Sequence, residues 1–293
     1  MTASAGSNRV VEQQLIQMLR KIEEEMEGDC ITYHGPIGFG IDYYIREAVE
    51  GINDRKKRII FILQTDGGNA GTARRISDIL RTHYKEVHYL IPSHAMSAGT
   101  ILAMSGDAIW MDYYSVLGPI DPQVASQDGK KLIPALGYLM RYEDLLTKAN
   151  SGDAGAGDLG ILFGFDQGEL YAYSQARALS ISLLEEWLVK YKFKNWKKTE
   201  DHGTKVTISK KRERANEIAN GLNDIKRWNS HGIGISMELL RTELNLKIDD
   251  FGGNNTLNDA VRSYHGLLLD YIGKLGVDSF IHTRISFEQL RRG

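Results

Sequence analysis

Ser97 lies in SHAMSAGTILAMSGD (93–107), among small residues at the start of an apolar helix pattern. The pattern before it, EVHYLI (86–91), is rich in β-branched and aromatic residues and reads as a strand that Pro92 stops. A serine on a sharp strand-to-helix turn has its hydroxyl exposed, and small neighbours such as Ala95, Ala98 and Gly99 let a carbonyl group approach it. That is the placement of a nucleophile. The same residues also suit a plain N-terminal cap or a tight packing site. The run A-M-S-A-G misses the nucleophile-elbow pattern by one residue, with Ala95 where the first glycine would stand.

A second segment narrows the choice. RIIFILQ (58–64) is an almost unbroken apolar run, as expected of a strand buried on both faces of a parallel sheet. It ends in TDGGNAGTARRISDIL (65–80), a glycine turn that opens an amphipathic helix. Unpaired N–H groups at such a turn can face a negative charge. No Lys-Ser or Lys-Thr follows the glycines, which excludes a Walker-type phosphate loop, and G-G-N-A-G is not a dinucleotide fingerprint. The remaining anion is a tetrahedral oxyanion. The N–H groups of Gly68, in the Gly67-Gly68 pair, and of Ala98 would converge on it. The alternative is an ordinary βα turn.

Together these segments resemble the serine dehydrogenase proteinase family, Clp-fold serine proteinases related to signal peptide peptidase A and the Clp proteolytic subunit. Three stretches carry the resemblance: LQTDGGNAGTARRI (63–76), IPSHAMSAGTILAMSGDAIWMD (91–112) and SVLGPIDPQV (115–124). The last, like the family's A-V-L-G-P-x-D-P-Q, is the most specific. A fourth, RWNSHGIGIS (227–236), stands where the family has W-T-H-D-Y-P-I-T. Two departures stand out. Asp66 replaces the proline before the glycine pair, and Gly232, Ile233 and Gly234 replace Asp, Tyr and Pro after the histidine.

The resemblance implies an α/β Clp/crotonase-type fold of repeated ββα units with a mainly helical C-terminal extension. It implies a serine endopeptidase with Ser97 as nucleophile and Gly67, Gly68 and Ala98 as the oxyanion hole. A serine hydroxyl needs a base. His231 carries the family match, and Asp121, in GPIDPQ (118–123), would orient its imidazole. Lys148 is the alternative, at the distance of the lysine base of signal peptide peptidase A, and would need desolvation to lose its proton. His94 or a residue from another subunit completes the set. Such hydrolysis takes no cofactor. The partners implied are a peptide or protein substrate and further copies of the chain in a homo-oligomer. Two other classes share the scaffold: a crotonase-like acyl-thioester enzyme, which would not need Ser97, and a binding or regulatory protein that has lost its base.

The elements that must position these residues follow from the pattern. Strands at 31–35, 58–64, 86–91 and 108–112 alternate with helices at 41–52, 70–83 and 97–105, which means a parallel sheet with right-handed crossovers. NSGDAGAGDLG (150–160) reads as a loop near the substrate face, and 170–193 as a long helix. Basic residues dominate 190–214, a solvated surface in preference to a nucleic-acid site. Short helix, turn and strand are expected over 235–250, a linker at 251–255 and a helix over 256–276. The N-terminal stretch reads as an amphipathic docking helix, with Val11, Leu15, Met18, Leu19 and Ile22 on one face. The divisions expected are 1–28, 29–200 and 201–293.

Composition fits an intracellular enzyme of this kind. A 42% hydrophobic share is enough for a sizeable core, and a net charge of −2 exerts no general pull toward nucleic acid or anionic lipid. One cysteine, Cys30, excludes an internal disulfide. The sequence shows neither signal peptide nor membrane span, so a cytoplasmic location is expected. The other histidines (His34, His83, His88, His202, His265 and His282) show no metal-ligand spacing, so no metal is expected.

Overall fold

The computed structural model describes residues 3–125, 132–199, 203–228 and 230–290. The expected boundary at 200/201 and His202 lie outside them.

Strands β1 (Asp29–His34), β2 (Arg58–Gln64), β3 (Glu86–Leu90) and β5 (Ala108–Met111) run parallel in the order 5-3-2-1. Their connections contain helices α2 (Ile41–Glu50), α3 (Ala70–His83) and α4 (Ala98–Ala103). Alternation along β2 shows why the run is apolar throughout. Ile59, Phe61 and Leu63 face one core, and Ile60 and Ile62 face another on the opposite side of the sheet. The mixed α/β fold is as expected.

A second, short layer lies beyond the carboxyl ends of these strands. Strand β4 (His94–Ala95) pairs in parallel with β6 (Val116–Leu117), and β6 pairs antiparallel with β9 (Ile235–Ser236). Single bridges extend the layer from Ala95 to Thr65 and from Gly68 to Ile37. Each of β1, β2, β3 and β5 thus leads into a short second-layer segment, the repeated ββα unit of the expected fold.

The C-terminal part is mainly helical and closes the molecule. Helices α8 (Ile208–Leu222), α9 (Ile225–Trp228) and α10 (Met237–Thr242) are joined by α11 (Asn255–Leu275). Side-chain oxygens of Thr207, Ser236 and Asn254 cap α8, α10 and α11. Helix α1 (Ala3–Glu25) packs with α11 over the second face of the sheet, burying Leu15, Leu19 and Ile22. Strand β10 (Asp249–Asp250) extends the sheet beyond β5. Strands β11 (Ser279–Thr283) and β12 (Phe287–Leu290) add to the edge of β1, antiparallel. The sequence reading does not foresee these two strands.

Two local readings change. The expected loop 150–160 is largely helix, since α5 (Ala135–Ser151) and α6 (Ala156–Phe163) leave only four residues between them. Gly155 opens α6, and the Asp158 carboxylate reaches back to its N–H, so the glycines do not prevent a helix there. The basic stretch is partly structural. After α7 (Gln167–Trp187), a π-helical turn at Leu188–Lys192 leads to Lys194, which pairs with Asp107 at 2.5 Å. Asp107 also holds Arg81 at 2.7 Å, and the Arg81 guanidinium lies 3.6 Å from the centre of the Tyr191 ring. The remaining strands, β7 (Gln123–Ala125) and β8 (Leu132–Pro134), form an antiparallel pair just beyond Asp121.

Candidate active site

Ser97 is the residue before α4 and has φ 50° and ψ −115°. A non-glycine residue adopts this conformation only when its surroundings impose it. Both flanks do so here. Met96 donates its N–H to Thr65 O at 2.9 Å, and Gly99 donates to Met96 O at 2.8 Å. The Ser97 side chain makes no cap bond to α4, so the plain helix-cap reading of this serine does not hold.

The glycine pair packs against this turn. Gly67 has φ 105° and Gly68 φ 143°. A Cβ on Gly67 would stand 2.7 Å from Ser97 Cβ, and one on Gly68 would stand 2.3 Å from Ile37 O. Neither position can take a side chain without displacement. Their N–H groups differ. Gly67, expected in the oxyanion hole, donates its N–H to Thr65 Oγ1 at 3.0 Å, within the turn itself. The Ile37 bridge uses Gly67 O and Asn69 N, both at 2.8 Å. Gly68's own N–H therefore points to the opposite edge of the segment, where Ser97 lies. Ala98 is the first residue of α4, and its N–H has no acceptor within the helix.

His231 and Asp121, 110 positions apart, meet with Nδ1 to Oδ1 at 2.8 Å. Asp121 is fully buried and the imidazole mostly so. The carboxylate accepts from Nδ1–H, which leaves Nε2 as the basic nitrogen. Ser97, Gly68, Ala98 and His231 line one cavity of about 890 Å³. Its apolar wall comes from Ile101, Ile120, Ala176 and Leu179, the last two on α7.

The other candidate bases lie elsewhere. Lys148 is on α5, half exposed and 3.9 Å from Asp158 of α6, and it does not line the cavity. His94 has Nδ1 3.1 Å from Ser93 Oγ and Nε2 3.1 Å from Asp66 Oδ1. Asp66, whose side chain is exposed, stands at the rim of the cavity.

Sequence reasoning missed two threonines. Thr65 holds Gly67. Thr100 is fully buried, with Oγ1 2.8 Å from Ala95 O and 2.9 Å from both Gly118 O and Gly118 N. It fastens α4 to the segment that leads to Asp121. Its place three residues after Ser97 was the available signal. Among the described residues no three His, Cys, Asp or Glu side chains are placed to hold a metal ion. No described helix is long and apolar enough to cross a membrane.

Residues 44–138 match the model of a ClpP-like SDH-type serine proteinase. That segment, about a third of the chain, is similar to this family. The match includes the glycine pair, Ser97 and Asp121 and ends before His231. The chain is also 31% identical over 134 residues to an uncharacterized protein of Methanocaldococcus jannaschii, covering 41% of this chain and 47% of that one. A second uncharacterized protein of that organism is 35% identical over 77 residues, or 26% of each chain. The chain thus spans about half the length of the first curated relative and about a quarter of the second. Among solved structures, a serine-to-alanine variant of the 1510-N membrane-bound stomatin-specific protease aligns with 55% of this chain and 73% of its own. The identity is 16% and the TM-score 0.32. A lysine-to-alanine variant of that protease, in complex with a substrate peptide, aligns with 34% of this chain and 48% of its own. The identity is 27% and the TM-score 0.27.

Proposed function

We propose that this protein is a serine endopeptidase using Ser97, His231 and Asp121. The observation that carries the reading is the 2.8 Å contact between His231 and buried Asp121 at the cavity that also holds strained Ser97. His231 Nε2 takes the Ser97 proton as Oγ bonds to the substrate carbonyl carbon. The N–H groups of Gly68 and Ala98 hold the oxygen as it becomes negative. Collapse breaks the peptide C–N bond, and His231 returns the proton to the leaving amine. Water, deprotonated by the same nitrogen, then splits the ester and restores Ser97.

The reaction so written uses no cofactor. The homo-oligomer and the cytoplasmic setting belong to the same reading, and light scattering on purified protein tests the first. The chemistry is tested by intact-mass analysis after treatment with a fluorophosphonate. One adduct is expected on the wild type and none on Ser97→Ala. His231→Gln should slow labelling by 10³-fold or more, since an unassisted serine is a weak nucleophile. Asp121→Asn should slow it strongly through loss of the required tautomer. No adduct on folded wild type would overturn the peptidase reading.

A further inference from the structure

A second cavity, of about 480 Å³, adjoins the first and shares Asn69 and Gly71 with it. Its walls include Phe39, Tyr43 and Arg75. Phe39 is 89% exposed and Tyr43 52%, which makes this a concentrated apolar surface beside the candidate active site. The exposure of Phe39 is not slackness of the chain. Two residues before it, Ile37 is fully buried and hydrogen-bonded through both N–H and C=O to the backbone around Gly68. The segment presenting Phe39 is therefore fixed to the turn that presents the Gly68 N–H.

The charge in this cavity is already compensated. Arg75 Nε lies 2.6 Å from Oδ2 of Asp42, whose carboxylate is buried. The remainder of the guanidinium is open to solvent and can lie against an aromatic face. Tyr43 is held by Tyr44, edge to face at 5.4 Å, and by Arg46, whose guanidinium is 5.0 Å from the ring centre. A held tyrosine ring and an exposed phenylalanine beside a neutralised arginine suit an aromatic or large apolar side chain better than a charged one.

We propose that this second cavity is a substrate subsite that takes an aromatic or large apolar side chain several residues from the scissile bond. The proposal rests on the peptidase reading for the identity of the ligand, an extended peptide entering the shared groove. Asn69 and Gly71, which line both cavities, place the second directly beside the first.

The test uses ten-residue peptides of alanine and serine, labelled with fluorescein, with a single phenylalanine moved through the positions. Binding to the Ser97→Ala protein is read by fluorescence anisotropy, and cleavage by the wild type by mass spectrometry. Phenylalanine at one position remote from the cleaved bond should tighten binding and lower KM about tenfold. Phe39→Ser and Tyr43→Ser should remove that gain and leave fluorophosphonate labelling of Ser97 unchanged. Position-independent binding, or a gain that survives both substitutions, would overturn the subsite. Failure of the wild type to label, with position-dependent binding intact, would overturn the peptidase reading alone.

Discussion

Ser97 and Gly67 form one steric unit. The backbone of Ser97 sits at φ 50°, and the face of Gly67 where a side chain would begin is closed by Ser97 Cβ and by Met96 O, at 2.7 and 2.8 Å. A methyl group at 67 also meets a φ of 105°, which L residues rarely adopt. Gly67→Ala must therefore move the serine, the turn or both. A misplacement of about 1 Å at a reacting group costs on the order of 10²-fold in rate. Fluorophosphonate labelling of Gly67→Ala is expected to slow by about that factor, with a stability loss of about 1–3 kcal/mol from overpacking. A labelling rate within threefold of wild type would show that the glycine does not set the serine's position.

The nucleophile stands on a weak element that its neighbours must hold. Helix α4 has six residues, all buried, and a helix that short has no stability of its own. Thr100 supplies the attachment. Its hydroxyl accepts from Gly118 N–H and donates to Ala95 O or Gly118 O. Thr100→Val keeps the shape and orphans the Gly118 N–H, at a cost of about 1–3 kcal/mol in urea unfolding. It should slow labelling as well, since Gly118 leads to Asp121. Thr100→Ser, which restores the hydroxyl, should recover most of both. The main strands and helices were legible in the sequence because each buries a periodic face. Helix α3 spans 70–83 as read, capped by Asn69 Oδ1 accepting from Thr72 N–H. The second layer was not legible, since β4, β6 and β9 have two residues each and show no period. Thr65, at a single bridge of that layer, carried no pattern either, and Thr100 offered only its spacing from Ser97. Ser97, Gly68, Asp121 and His231 stood out through motif resemblance, and the fold supplies the contact that brings His231 to Asp121 across 110 positions.

At the scale of the whole molecule, the two ends of the chain cover the second face of the sheet, and ionisable groups are enclosed there. Arg284 Nη1 lies 2.6 Å from Asp29 Oδ1 and 3.0 Å from Glu23 Oε1, tying the turn after β11 to β1 and α1. Tyr264 of α11 bonds Thr32 of β1 and His282 Nδ1 of β11, each at 2.7 Å. Burial holds His282 neutral and pushes its pKa down to about 3. Burial likewise lowers His88 and His265 to about 4, with Arg58 and Arg262 respectively adding to the effect. In the unfolded chain all three titrate near 6.5. Between about pH 6.5 and 4 the unfolded state therefore binds more protons than the native state, so stability rises with pH across that window. The contribution is fully present above pH 6.5 and is lost on acidification, at up to about 1.4 kcal/mol per pH unit for each histidine. Below about pH 3–4 the native histidines also take up protons and the slope from this source flattens. Urea midpoints measured from pH 8 to 4.5 should stay level to about 6.5 and then fall. His282→Phe, which keeps a ring stacked on Phe287 and leaves Tyr264 its bond to Thr32, should reduce the acid slope by up to about 1.4 kcal/mol per pH unit. An unchanged slope in that variant would mean that His282 takes up protons in the native protein, and so that α11 and β11 do not seal this face of the sheet from water.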